Sequence, residues 1–166
     1  MQTNSTTRQF DMLEANLQAL SIRMPDLPLD ALLLSRLLLH ASREIASMLD
    51  QQIRPFGLSD AEFLVLTTLF SQPEGVAHLG DLCAGAGQSP ATMSRVSDAL
   101  VSRDLITRVL SARDRRRIVL RITEHGEELV RQLLPSMFVP LHATLGIFSE
   151  EEQLYFISQL KRVALR

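Results

Sequence analysis

Residues 112–126 read ARDRRRIVLRITEHG, and the period of this stretch decides what the surrounding chain can be. Ile118, Leu120 and Ile122 alternate with Arg117, Val119 and Arg121, the two-residue period of a strand with one covered face. Just upstream, residues 105–110 (LITRVL) form a second β-type run. Between the two lies Ser111 to Arg117, a polar tip carrying four arginines. Two such runs joined by a short polar connection predict an antiparallel hairpin. Thr123 then stands where a helix N-cap belongs. Glu124, Glu127 and Glu128 follow in the first turns, where the helix dipole favours negative charge.

Working back from the hairpin, Ser89 precedes Pro90, a cap followed by the one position where a missing N–H costs nothing. The helix they open runs to about Ser102, with Met93, Val96, Ala99, Leu100 and Val101 on its apolar side. Gly85-Ala-Gly-Gln88 is a turn, and His78 to Ala84 before it is a short helix with Leu79, Leu82 and Cys83 apolar. Two short helices joined by a small-residue turn predict a helix-turn-helix, and with the hairpin behind it a winged helix. Further out, Ser59-x-x-Glu62 is a capping box, with Leu58 and Phe63 spaced as a hydrophobic staple. Its helix extends to about Phe70 and turns Phe63, Leu66, Leu69 and Phe70 inward.

Arg54-Pro-Phe-Gly57 stops a long helix, Ala31 to about Ile53, that Asp30 is placed to cap. Two prolines in residues 24–29 break it from an earlier stripe with apolar positions 10, 13, 17 and 20. Downstream, the helix from Thr123 persists to about Ile147, with a bend expected near Pro135 and Pro140. Ser149-x-x-Glu152 opens a last helix through Leu165. The predicted fold is mainly α with a small two- to three-stranded β wing: a winged helix-turn-helix lobe plus a helical dimerisation region. Its divisions are 1–57, N-terminal helices contributing to dimerisation, 58–122, the lobe, and 123–166, C-terminal dimerisation helices, all in one intertwined domain.

The chain of 166 residues is 46% apolar and 22% charged, the balance of one globular domain rather than a disordered segment. One cysteine cannot close an internal disulfide, which excludes the stapled secreted scaffolds and points to a reducing, cytoplasmic setting. No apolar run reaches the roughly 18 residues of a membrane span, and the polar start MQTNSTTRQF shows no secretory signal. Net charge is −2, yet residues 89–121 alone carry +5 and the remainder −7. A basic island on an acidic body is the electrostatic footprint of a polyanion partner.

Double-stranded DNA fits the shape of that island. A helix fills the major groove and its early side chains reach base edges, while an arginine on a hairpin enters the minor groove. Exposed positions early in the second helix are Thr92, Ser94 and Arg95, with Ala91 and Asp98 beside them. Ser89 and the N–H groups near it can take a phosphate, and Arg113, Arg115, Arg116 and Arg117 supply the tip. Catalysis finds no foothold. His40, His78, His125 and His142 have no metal-ligand spacing, and no nucleophile elbow, phosphate loop or dinucleotide fingerprint occurs. No enzyme activity, metal or cofactor is expected.

The wing motif and the Thr-x-x-Gly that follows it make the chain resemble the MarR-type transcriptional regulators over about Ala31 to Leu165. Asp114 and Arg116 match that family's Asp-x-Arg wing pair, Thr123 and Gly126 match its helix entry, and Ile122 replaces the usual Leu. The stretch Leu33 to His40, a cysteine before the recognition helix and Leu134-Pro135 are similar to the EmrR/MprA kind, repressors of multidrug efflux pumps. The resemblance implies that Arg116 inserts in the minor groove, that Asp114 fixes the wing, and that Thr92, Ser94 and Arg95 face the major groove. It also implies a homodimer with intertwined terminal helices, reading an inverted-repeat operator and released by a small aromatic or anionic effector. The apolar stripes in Phe10–Leu20 and Leu133–Leu165 support the dimer independently. Arg36, His40 and Arg43 share one helix face and form, with Phe63 and Thr67, the expected effector site. Two rivals are a winged-helix protein-interaction module and a thiol-redox regulator acting through Cys83. Cys83 lies among Leu79 and Leu82 with no sequence neighbour to lower its pKa, so a packing role is favoured.

Overall fold

A computed structural model describes the backbone of residues 3–110 and 118–165, and the same residues' side chains except 3–7 and 9. The chain divides into two compact units, Met1–Ser47 and Met48–Arg166. Helix α1 (Thr3–Arg23) and most of α2 (Leu29–Ile53) make the first. The turn between the helices is closed by Leu27 N donating to Met24 O at 3.0 Å. Asp30 does not cap α2, because Leu32 N already donates to the Pro28 carbonyl at 3.0 Å. Helix therefore begins before Asp30, leaving that carboxylate within the first turn, where the dipole still favours it.

The second unit opens with the end of α2 and a single 3-10 turn, Arg54–Phe56, that Gly57 terminates in the left-handed region at φ 66°. Then come α3 (Asp60–Ser71), β1 (Val76–His78), α4 (Leu79–Ala86) and α5 (Pro90–Ser102). β2 (Ile106–Leu110), β3 (Ile118–Ile122), α6 (Glu124–Leu145) and α7 (Glu150–Ala164) complete it. Both predicted capping boxes form. Ser59 N donates to Glu62 Oε2 at 2.8 Å, as Ser149 N does to Glu152 Oε2. Leu58 and Phe63 both join the same core. Helix α6 runs on through Pro135 and Pro140.

The sheet has three antiparallel strands in the order β1-β3-β2. Ile106 faces Ile122 and Leu110 faces Ile118 across the hairpin, while Val76 faces Arg121 and His78 faces Val119 on the other side. β1 escapes the sequence reading because three residues are too few for a visible alternation. Pairing with β3, far along the chain, makes it a strand. Leu66 and Leu69 of α3, Met93 and Leu100 of α5, Leu105, Leu120 of β3 and Leu133 of α6 are all but completely buried in one core. The lobe and the first turns of α6 are thus a single packed body.

The join between α5 and the hairpin explains the Thr-x-x-Gly signature physically. Asp104 turns the chain in the left-handed region at φ 56°, and Leu105 N donates to Leu100 O at 3.0 Å. Thr123 Oγ1 donates to Asp104 O at 2.7 Å and accepts from Gly126 N at 3.0 Å. A Cβ on Gly126 would lie 2.1 Å from the Leu105 carbonyl oxygen, so only glycine lets α6 start this close to the sheet. Among the described residues, no helix is long and apolar enough to cross a membrane.

Candidate nucleic-acid interface

Helices α4 and α5 form the predicted helix-turn-helix. Gly87 ends α4 at φ 60°, with Gln88 N donating to Cys83 O at 3.0 Å. Ser89 caps α5: its hydroxyl accepts from Thr92 N at 3.2 Å and shares a hydrogen bond with Thr92 Oγ1 at 2.9 Å. The cap alters what this helix end can offer. Pro90 has no N–H, Thr92 N is taken by Ser89 Oγ, and Met93 N by Ser89 O. The Ser89 and Ala91 N–H groups keep no hydrogen-bond partner among the described residues, and they are the backbone donors this helix end retains for a phosphate.

The inner side of α5 is fixed by Met93, Ser97 and Leu100, all buried, with Ser97 Oγ satisfied by Ser94 O at 2.8 Å. Ala91, Thr92, Arg95 and Asp98 lie on the exposed side, and Ser94 is half-buried. Arg95 makes no ion pair among the described residues, leaving its guanidinium available. Arg113, Asp114, Arg115, Arg116 and Arg117, the tip expected to enter the minor groove, lie outside the described residues. The described pairing of β2 with β3 runs as far as Leu110 opposite Ile118.

Three arginines counted in the basic island serve the fold. Arg103 donates to Gly57 O at 2.6 Å and to Phe56 O at 2.8 Å, tying the end of α5 to the 3-10 turn. Arg121 donates to Glu74 O at 3.0 Å. Arg108 pairs with Asp98 and reaches Ser94 Oγ at 3.4 Å. Sequence reasoning missed all three roles, since their partners are remote in the chain.

The residues expected to take an effector divide between the two units. Arg36, His40 and Arg43 line a cavity of about 680 Å³ within the first unit, together with Arg8, Phe10 and Leu17. His40 meets Phe10 edge to face, ring centroids 4.8 Å apart. Phe63 and Thr67 belong to the second unit. Phe63 packs on its core and Thr67 Oγ1 donates back to Phe63 O at 2.9 Å. Cys83 is partly buried against the same core. Among the described residues, no group of His, Cys, Asp and Glu could hold a metal.

A helix-turn-helix with an exposed arginine on its second helix and a β-hairpin following it defines a winged-helix DNA-binding regulator. The MarR family model matches residues 56–117. The transcriptional repressor MprA of Escherichia coli is 30% identical over 144 residues, 87% of this chain and 82% of that one. The chain belongs to the MarR family of transcriptional regulators. Among solved structures, the S. aureus MepR–DNA complex is 25% identical with a TM-score of 0.69, covering 78% of this chain and 95% of that one. Bordetella bronchiseptica BpsR, whose DNA binding is regulated by 6-hydroxynicotinic acid, is 25% identical with a TM-score of 0.70, covering 78% and 91%.

Proposed function

We propose that this regulator is a cytoplasmic repressor that binds an inverted-repeat operator as a homodimer and releases it when a small aromatic or anionic effector binds. The observation that carries the DNA reading is α5: a buried inner side, and an outer side presenting Thr92 and an Arg95 that makes no ion pair among the described residues. Thr92, Ser94 and Arg95 contact base edges or phosphates, Ser89 stands at the backbone, and Arg113, Arg115, Arg116 and Arg117 reach the neighbouring groove, with Asp114 bracing the tip. The dimer is supported by α7, which buries no residue within its own chain and exposes Leu154, Tyr155 and Val163. A twofold pair of lobes then demands half-sites about one helical turn apart.

The effector reading is supported by the cavity in the first unit, where arginines meet an apolar and aromatic lining, the combination that suits a ring bearing a carboxylate. Release requires only that the effector prefer a dimer whose recognition helices no longer match the operator spacing. The test is titration of duplexes selected by the protein from a randomised pool. Affinity should fall steeply with salt, as expected for about seven phosphate contacts. Arg116→Ala should weaken binding while leaving the dimer and its melting intact. Absence of duplex binding at low salt would overturn the regulator reading. Failure of every aromatic carboxylate to release DNA from the wild type would overturn the effector reading alone.

A further inference from the structure

We infer that Arg108 is a positioning residue for DNA binding: it neutralises Asp98 on the outer face of α5 and holds Ser94 beside it. The inference rests on the proposal that this face meets DNA. On β2, Arg108 stands opposite Leu120, which is fully buried, so its side chain leaves the sheet on the covered face. An arginine there is costly unless its charge is matched. The match comes from α5, where Arg108 Nη1 pairs with Asp98 Oδ1 and Nη2 donates to Ser94 Oγ at 3.4 Å. The cation is the sheltered partner, at 28% side-chain exposure against 63% for the carboxylate.

The exposed partner is the one that matters. Asp98 follows Ala91 and Arg95 at helical spacing, placing a carboxylate on the stripe that would face the phosphates. Unpaired, it would repel DNA and offset the attraction of Arg95. Paired from behind by Arg108, it is neutral toward DNA, and Arg95 is left as the net charge of the stripe. The guanidinium also reaches Ser94 Oγ at 3.4 Å, a long contact that links this hydroxyl to the β2 strand as well as to its own helix.

The two members of the pair can be removed separately. The probe is a labelled mixed-sequence duplex about three helical turns long, enough for two half-sites, titrated over a range of salt concentrations. Arg108→Ala should bind about tenfold more weakly, through the carboxylate it uncovers, with a log–log salt slope shallower by about one. Asp98→Asn in the Arg108→Ala background should restore most of the affinity, because the repulsion is gone. Asp98→Asn alone should bind at least as well as the wild type with a steeper slope, and it tests the inference even where Arg108→Ala folds poorly. Unchanged binding by Arg108→Ala, a double variant as weak as the single one, or weakened binding by Asp98→Asn would each overturn the inference. A wild type that does not bind the duplex at low salt would instead remove the DNA reading beneath it.

Discussion

Helices α5 and α7 are built alike and end up differently. Each is opened by a serine whose hydroxyl accepts from the third helical N–H, and each carries an apolar side. Most of the apolar side of α5 disappears into its own chain, with Met93 and Leu100 almost fully buried and only Val101 exposed. That of α7 stays open, with Leu154 and Val163 more than 60% exposed. The edge-to-face contacts of Phe148 with Phe156 and of Tyr155 with Phe156 keep the aromatic groups of the α7 region near one another without covering them. Local pattern therefore makes a helix amphipathic without deciding what covers it. A face that its own chain covers belongs to the fold, and a large one left bare marks where a second chain is needed.

The comparison breaks most severely where the covered side meets backbone. Gly126→Ala should cost upwards of about 4 kcal/mol, because the new methyl collides with a carbonyl that neither α5 nor the sheet can move. Chemical denaturation should give an unfolded or molten chain. Leu100→Ala removes a fully buried side chain and should cost roughly 2–5 kcal/mol at any protein concentration. Leu154→Ala should behave oppositely: little change in intrinsic stability, but a melting temperature that falls on dilution and a mass shifting toward the monomer. Equal, concentration-independent losses for Leu100→Ala and Leu154→Ala would erase the distinction between the two helices.

The caps sharpen the same contrast on a finer scale. Ser89→Ala should cost about 1 kcal/mol in dimer and monomer alike. Ser149→Ala should cost a similar amount only while α7 is covered by a partner, read as a loss that shrinks on dilution. Smallest of all is Cys83→Ser, expected to leave duplex binding unchanged with or without peroxide. A binding change with peroxide that the serine variant abolished would move Cys83 from packing to sensing.

Most of the lobe was legible because its signals are local. A serine three residues before a glutamate, a proline after a serine and an alternating run each act within a few residues, and each yielded the element it predicts. β1 and the roles of Arg103, Arg108 and Arg121 were not legible, since each is settled by a partner brought near only by the completed fold. For the proposed DNA-facing side of α5 the sequence offered Thr92, Ser94 and Arg95 but not the Arg108 cation paired with Asp98.

The strand order β1-β3-β2 has a consequence for how the lobe is made. The first strand to leave the ribosome joins the last, with α4, α5 and β2 emerging between them. The recognition helix is therefore synthesised before the sheet that will fix it, and β1 waits as an unpaired edge until β3 emerges. Strand β3, which pairs with β2 on one side and β1 on the other, is also the clasp that closes the whole lobe. A nascent chain halted before Ile122 would hold every residue of α5 and still lack the surface that aims it.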